Sequence, residues 1–382
     1  MKPKSVIANL QICRGIAALL VVIGHSLHDL DAIAARAGLD GVHSSINWGA
    51  GIDIFFVISG FIMVHVAAAD FGTSGGAQRF LLRRLARIAP MYWLVTTALI
   101  VGAFVAPGLL NVPIGGAWHI FTSYFFIPDW RSDMSVVRPV MALGWTLNYE
   151  MLFYAAFAAA MFLPFTRAIV VLTIVFIGAT VAKSALDIRQ TQLAFWMDPI
   201  ILEFLFGVYI AIAYRAGWRL SAPAALALGS FGFIAATTAL PEALGLALPI
   251  NFLRYGAPAA MLVGSAALGP GLPDGLLTRF GIGLGNASYA LYLCHPFVIR
   301  LLREVWLRAG GAALPLIAYC VVSVFGAVMV ALALHRFVER PLAKVLEGWI
   351  KGRSPRKSAA PNESERESIA FRQDQRALET IP

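Results

Sequence analysis

Apolar residues run through this chain in blocks of about twenty, separated by short polar joints. The blocks fall approximately over residues 7–28, 48–69, 89–106, 141–163, 168–186, 198–215, 222–240, 252–269, 283–303 and 314–337. A helix of about 20 such residues crosses a hydrocarbon layer of about 30 Å. The pattern therefore predicts an all-α, polytopic membrane helix bundle of about ten transmembrane helices. Residues 1–350 form the membrane domain. The polar, charged stretch 351–382 reads as a disordered cytoplasmic tail.

Composition agrees with the block pattern. Hydrophobic residues make up 59% and charged residues only 13%, against about 25% charge in soluble domains. The net charge of +9 does not point to nucleic acid. Most Lys and Arg fall in the N-terminal segment, alternate loops and the tail, which by the positive-inside rule puts both termini in the cytoplasm. Cys13, Cys294 and Cys320 lie in apolar blocks with no metal or redox spacing. The first block lacks a small-residue cleavage site and reads as an anchor that stays.

The polar positions inside the apolar blocks change the picture most. Arg14 and His25 stand eleven positions apart in the first block, three turns plus about 20°, so they share a stripe and lie roughly 16 Å apart along the axis. Ionisable groups within a span are costly and face a cavity or a partner. Asp53, Glu150 and Glu203, with Asp198 beside the last, fall in the outer halves of their blocks, and His295 falls near mid-depth before Pro296. Such a gathering suggests a polar cavity in which an imidazole serves as general base beside carboxylates. Plainer roles stand next to each. His25 and Glu150 could make helix-to-helix hydrogen bonds, Arg14 could snorkel, and Asp53 could cap or tether its helix. His295 stays open between cavity lining and packing beside a proline.

In QRFLLRRLARIAPMYW, Arg79, Arg83 and Arg87 follow an i, i+4, i+8 stripe flanked by Arg84, and Pro90 fits the start of the next span. These arginines are either topological anchors or forked ligands for phosphates. The connection from Pro107 to Val140 is the longest, and its middle, AWHIFTSYFFIPDW, reads as a re-entrant or interfacial piece. No P-loop, HExxH, paired-cysteine or GxSxG motif occurs, GIGLG near Gly281 is no dinucleotide fingerprint, and no metal is expected. Asn286-Ala-Ser matches a glycosylation sequon at chance level.

Taken together, RGIAALLVVIGHS, GIDIFFVISGFI, FLLRRLARIAPMYW, GWTLNYEMLFY, SYALYLCHPF and FVERPL occur in the order seen in the membrane acyltransferase 3 family. The chain resembles that family from residue 10 to about 342, and its exopolysaccharide-acetylating branch in particular. The resemblance implies a multi-pass enzyme of the bacterial inner membrane. It implies transfer of an acyl group, usually acetyl, from cytoplasmic acyl-CoA to a sugar hydroxyl of a polysaccharide or lipid-linked precursor. Arg14 and His25 match the family's first-span pair, Arg83, Arg84 and Arg87 its CoA-phosphate block, and Glu150 its acidic position. Under this reading His25, Glu150 and Asp53 are catalytic, and Arg14, Arg83, Arg84 and Arg87 bind the acetyl-CoA donor. His25 deprotonates the acceptor hydroxyl or carries the acyl group itself, and the partners are the donor, the glycan and membrane lipid. Two other classes fit the composition. One is a proton-coupled transporter or flippase of a glycan or small anion, and the other a noncatalytic scaffold.

Overall fold

A computed structural model describes residues 3–36, 38, 40–41, 44–105, 114–131, 136–243, 252–309 and 316–352. The expected tail beyond residue 352 lies outside the described residues. Helices follow in the order α1 (Pro3–Arg36), α2 (Ala50–Ala67), α3 (Gly76–Val105), α4 (Ala117–Tyr124), α5 (Trp145–Ala160), α6 (Phe165–Ala185), α7 (Thr191–Trp196) and α8 (Glu203–Arg215). Then come α9 (Ala222–Thr237), α10 (Ala257–Leu268), α11 (Leu276–Asn286), α12 (Ser288–Arg308), α13 (Leu316–Leu334) and α14 (Arg340–Gly352), with π turns at Phe252–Gly256 and His335–Glu339. Among the described residues the β pairing is an isolated bridge between Trp130 and Val137. Each apolar block is chiefly helical, as the pattern predicts. Among the described residues, five helical stretches are long and apolar enough to cross a membrane: Val6–Arg36, Ala50–Asp70, Gly76–Val105, Phe165–Ala185 and Ile317–Ile350.

The chain divides into two compact units. Among the described residues, one holds those up to Phe61 and Phe206–Pro341, and the other holds Ile62–Leu205 and those from Leu342 to Gly352.

In the first unit α1 is the central rod, packed against α10, α11, α12 and α13. Small residues let backbones meet, the usual device where no hydrophobic drive separates helix from lipid. A Cβ at Gly285 would stand 1.9 Å from the Gln11 carbonyl oxygen, and one at Gly51 would stand 2.2 Å from that of Ala17. The GIGLG stretch is thus a packing face, with Gly281 and Gly285 one turn apart against α1. Near the start of α1, Asn9 Nδ2 donates to the carbonyls of Ala266 and Pro270, both at 3.0 Å, and Asn9 Oδ1 accepts from the Leu272 N–H at 3.3 Å.

In the second unit α3 and α5 run antiparallel. Gly144, just before α5, lies under the Tyr92 ring, and the Tyr154 ring meets Phe80 at 6.2 Å. The segment carrying α4 folds back along α3. Tyr92 Oη donates to the Ser123 carbonyl at 3.0 Å and Trp93 Nε1 to that of Tyr124 at 2.8 Å. Those anchors lie roughly 18 Å before the end of α3 by helical rise. His119 fixes the fold-back, its Nδ1 accepting from the Gly115 N–H at 3.0 Å and its Nε2 donating to the Arg138 carbonyl at 2.9 Å.

Three boundaries differ from the block pattern. α1 continues two turns past residue 28, to Arg36. Pro90 lies in the middle of α3, because the arginine segment and the apolar block form one helix that starts after a turn with Gly75 at φ +71. The ninth block is broken at Ala287 into α11 and α12.

Candidate active site

His25 stands exposed on α1, and its Nδ1 lies 2.8 Å from the Val21 carbonyl oxygen. A carbonyl only accepts, so Nδ1 carries the hydrogen and Nε2 keeps a bare lone pair. His295 on α12 repeats the arrangement behind it. Its Nδ1 lies 3.0 Å from the Leu291 carbonyl, it is fully buried, and its Nε2 has no hydrogen-bond partner. The two rings pack with centroids 5.0 Å apart and planes tilted by 57°. Tyr292 lies beside His295 at 6.2 Å, and Phe55 of α2 meets Tyr292 edge-on at 6.2 Å.

One turn beyond His25, Asp29 is bound by Arg303 Nη1 at 2.6 Å and by the Tyr319 hydroxyl at 2.5 Å. This mostly buried ion pair fastens α1 to α12 and α13 directly above the imidazoles. Arg14, half-buried on the same stripe as His25, donates from Nη1 to Gln11 Oε1 at 3.2 Å. Asp53 is buried in the first turn of α2, where a negative charge complements the helix dipole. It lies two positions from Gly51, about 200° round the helix. The face of α2 that meets Ala17 is therefore not the one that carries Asp53.

The second unit holds a separate charged group. Arg79 is drawn to the turn before α3, within 3.7 Å of Asp70 and donating to the Ser74 carbonyl at 3.1 Å. Arg84 is buried, whereas Arg83 and Arg87 are half-buried. Tyr154, fully buried on α5, donates to Glu150 Oε1 one turn earlier, and Arg84 and Arg87 both act on it electrostatically. The stripe of the sequence groups Arg79 with Arg83 and Arg87, but the fold gathers Arg84 and Arg87 on Tyr154. The α3–α5 register also sets Glu150 level with these arginines, because the segment carrying α4 folds back and α5 starts well down the length of α3. Asp198 caps the turn before α8, accepting from the Ile200 N–H at 3.2 Å, and pairs with Lys183 at 3.0 Å. Glu203 is buried at the start of α8.

The structure thus brings His25 together with His295, a histidine the sequence left open, and Glu150 with Tyr154, which the sequence did not single out. The i, i+4 spacing of Glu150 and Tyr154 was the available signal. Chemically, the first unit offers an exposed imidazole base on a membrane helix. The second offers guanidinium groups suited to an anion.

These features have close relatives among known proteins. Residues 7–335 match the acyltransferase domain model Acyl_transf_3. The exopolysaccharide production protein ExoZ of Rhizobium meliloti (strain 1021) is 33% identical over 312 residues, covering 80% of this chain and 92% of ExoZ. The acyltransferase MdmB of Streptomyces mycarofaciens is 25% identical over 366 residues, 87% of this chain and 90% of MdmB. The peptidoglycan O-acetyltransferase OatA of Listeria monocytogenes serovar 1/2a is 26% identical over 149 residues, 35% of this chain and 23% of OatA. No solved structure matches. With residues 7–335 matched, nearly the whole of its apolar part, the chain is a membrane acyltransferase and belongs to the acyltransferase 3 family.

Proposed function

We propose that this enzyme moves an acyl group, acetyl in the first instance, from acyl-CoA to a sugar hydroxyl of an exopolysaccharide, O-antigen or lipid-linked glycan. The observation that carries the reading is the position of Nδ1 of the exposed His25 against the Val21 carbonyl, which leaves Nε2 to take a proton. The likeness to ExoZ along 92% of its length supports an exopolysaccharide acceptor. Ten spans with both termini in the cytoplasm of a bacterial inner membrane accommodate a donor from inside and an acceptor outside.

In the proposed step His25 Nε2 accepts the proton of the acceptor hydroxyl as that oxygen bonds to the thioester carbon. The carbon–sulfur bond then breaks, and the imidazolium returns the proton to the leaving CoA thiolate. Arg14, Arg83, Arg84 and Arg87 bind the donor's phosphates, with forked guanidiniums suited to that anion. Glu150 acts with Tyr154 to hold Arg84 and Arg87 in position, an assignment favoured by their common level. Asp53 adds negative charge on α2 that steadies the imidazolium at a distance.

The test uses the protein in nanodiscs with radiolabelled acetyl-CoA and membrane glycolipid, wild type beside His25→Ala. Label on the glycan with wild type alone is the expected result. Label held on the protein would replace direct attack by an acyl-enzyme route. No turnover of any acyl-CoA by a folded sample would overturn the donor assignment.

A further inference from the structure

Two buried polar atoms on one face of α12 have no partner: the Ser288 hydroxyl and His295 Nε2. Both residues are fully buried. Their seven-residue spacing is two turns less about 20°, so they share a stripe, with Tyr292 between them. Just before the helix, at the break around Ala287, the Asn286 Oδ1 is a third such atom. A buried polar atom without a partner forfeits roughly 1–3 kcal/mol and calls for an explanation. Here two fall on one line of α12, and the third lies at the break just before it.

That line runs beside the Arg14–His25 stripe. His25 packs on His295, and Asp29 pairs with Arg303, so α1 and α12 are parallel. Counted back from the His25–His295 contact, the start of α12 at Ser288 lies beside Ala18, about one turn from Arg14 on the side toward His25. The Ser288–His295 line therefore covers about 10 Å, at the His25 end, of the roughly 16 Å between Arg14 and His25. An extended pantetheine arm, from its sulfur to its first phosphorus, also measures roughly 16 Å from ordinary bond lengths. It carries two amides, each a donor and an acceptor in want of partners once desolvated.

We infer that the Ser288–His295 face of α12 is the track for the pantetheine arm of the donor, with the thioester at His25 and the first phosphate at Arg14. This rests on the acyl-CoA reading proposed above and adds the residues that read the arm. The bare Nε2 of His295 accepts the N–H of the amide next to the sulfur. The Ser288 hydroxyl donates to the carbonyl of the second amide, and Asn286 Oδ1 is the remaining acceptor at the phosphate end. Seven residues separate His295 from Ser288 by about 10 Å along the axis. The longer histidine side chain leans back toward the helix start and shortens that span to one two amides bridge. The interruption at Ala287 is where the start of α12 yields to admit the chain.

A ladder of donors tests this with full-length protein in nanodiscs: acetyl-CoA, acetyl-phosphopantetheine, acetylpantetheine, the acetyl thioester of N-acetylcysteamine (one amide) and that of ethanethiol (none). Wild type should lose kcat/KM at each rung that removes a phosphate or an amide, by roughly tenfold per hydrogen-bonded group. Ser288→Ala should erase the step between acetylpantetheine and the N-acetylcysteamine ester. His295→Leu should erase the step between that ester and the ethanethiol ester, and His295→Gln should restore part of it. Arg14→Ala should erase the step between phosphopantetheine and pantetheine. A thermal midpoint measured for each variant separates misfolding from lost recognition, and the wild-type ladder stands without any variant. Turnover of acetyl-CoA with no step at the two amides would overturn the track and leave the donor reading intact. Failure of every thioester, acetyl-CoA included, would overturn both.

Discussion

Arg303 grips Asp29 at 2.6 Å one helical turn along α1 from His25, and the Tyr319 hydroxyl takes the other carboxylate oxygen. The side chains of the pair are only 16% and 15% exposed. Removing one member of a buried pair strands the other charge, which costs about 3 kcal/mol or more. Asp29→Asn should therefore lower the thermal midpoint in detergent markedly. The double variant Asp29→Leu with Arg303→Met should recover most of that loss, a coupling read from a double-mutant cycle. Strictly additive losses would show that the pair does not act as a unit.

The contact of α11 with α1 separates two neighbouring glycines. A Cβ at Gly285 would fall 1.9 Å from the Gln11 carbonyl oxygen, whereas nothing lies within 4 Å of one at Gly283. Gly285→Ala must push the helices apart, an overpacking cost of roughly 1–3 kcal/mol. Gly283→Ala should be neutral or slightly stabilising, since alanine favours the helix. Thermal midpoints of the two variants side by side decide it.

The charged group on α3 and α5 gives a kinetic prediction. Arg84 is buried and acts with Arg87 on Tyr154, which holds Glu150. Arg84→Lys keeps the charge but loses the planar fork. It should raise KM for acetyl-CoA roughly tenfold while changing kcat less, the signature of lost ground-state binding. Tyr154→Phe keeps the ring and should shift KM in the same direction. A fall in kcat with KM unchanged would instead tie this group to the chemical step.

The helices were legible in the sequence because twenty-residue apolar blocks leave few alternatives, and the Arg14–His25 stripe needed only helical spacing. Other features depended on partners remote in the chain. Asp29 falls just past the first apolar block, and only Arg303 and Tyr319, more than 270 positions away, make it an interior helical residue. GIGLG could be excluded as a nucleotide motif, but its packing role depends on Gln11. Glu150 was legible as an ionisable group inside an apolar block, but its partner, the Tyr154 hydroxyl one turn on, shows only once α5 is formed. His295 stayed open because a lone histidine beside a proline carries no sign of what its ring touches until α1 and α12 are brought together.

His25 and Asp29 share a helix and sit one turn apart, yet they should respond to substitution in opposite ways. His25 is exposed, and its hydrogen bond goes to the carbonyl of Val21 on its own helix. Its removal leaves no buried charge and no cavity, so His25→Ala should move the thermal midpoint little, within the range of surface changes of about 0.5 kcal/mol. Loss of a general base lowers turnover by roughly 10²–10⁴-fold, so transfer of label to glycan should fall by that much. Asp29→Asn should show the reverse balance, with a large stability loss and a residual activity that tracks the folded fraction. If His25→Ala proved as destabilising as Asp29→Asn, the imidazole would be a packing element, and the base would have to be sought elsewhere on the α1–α12 face.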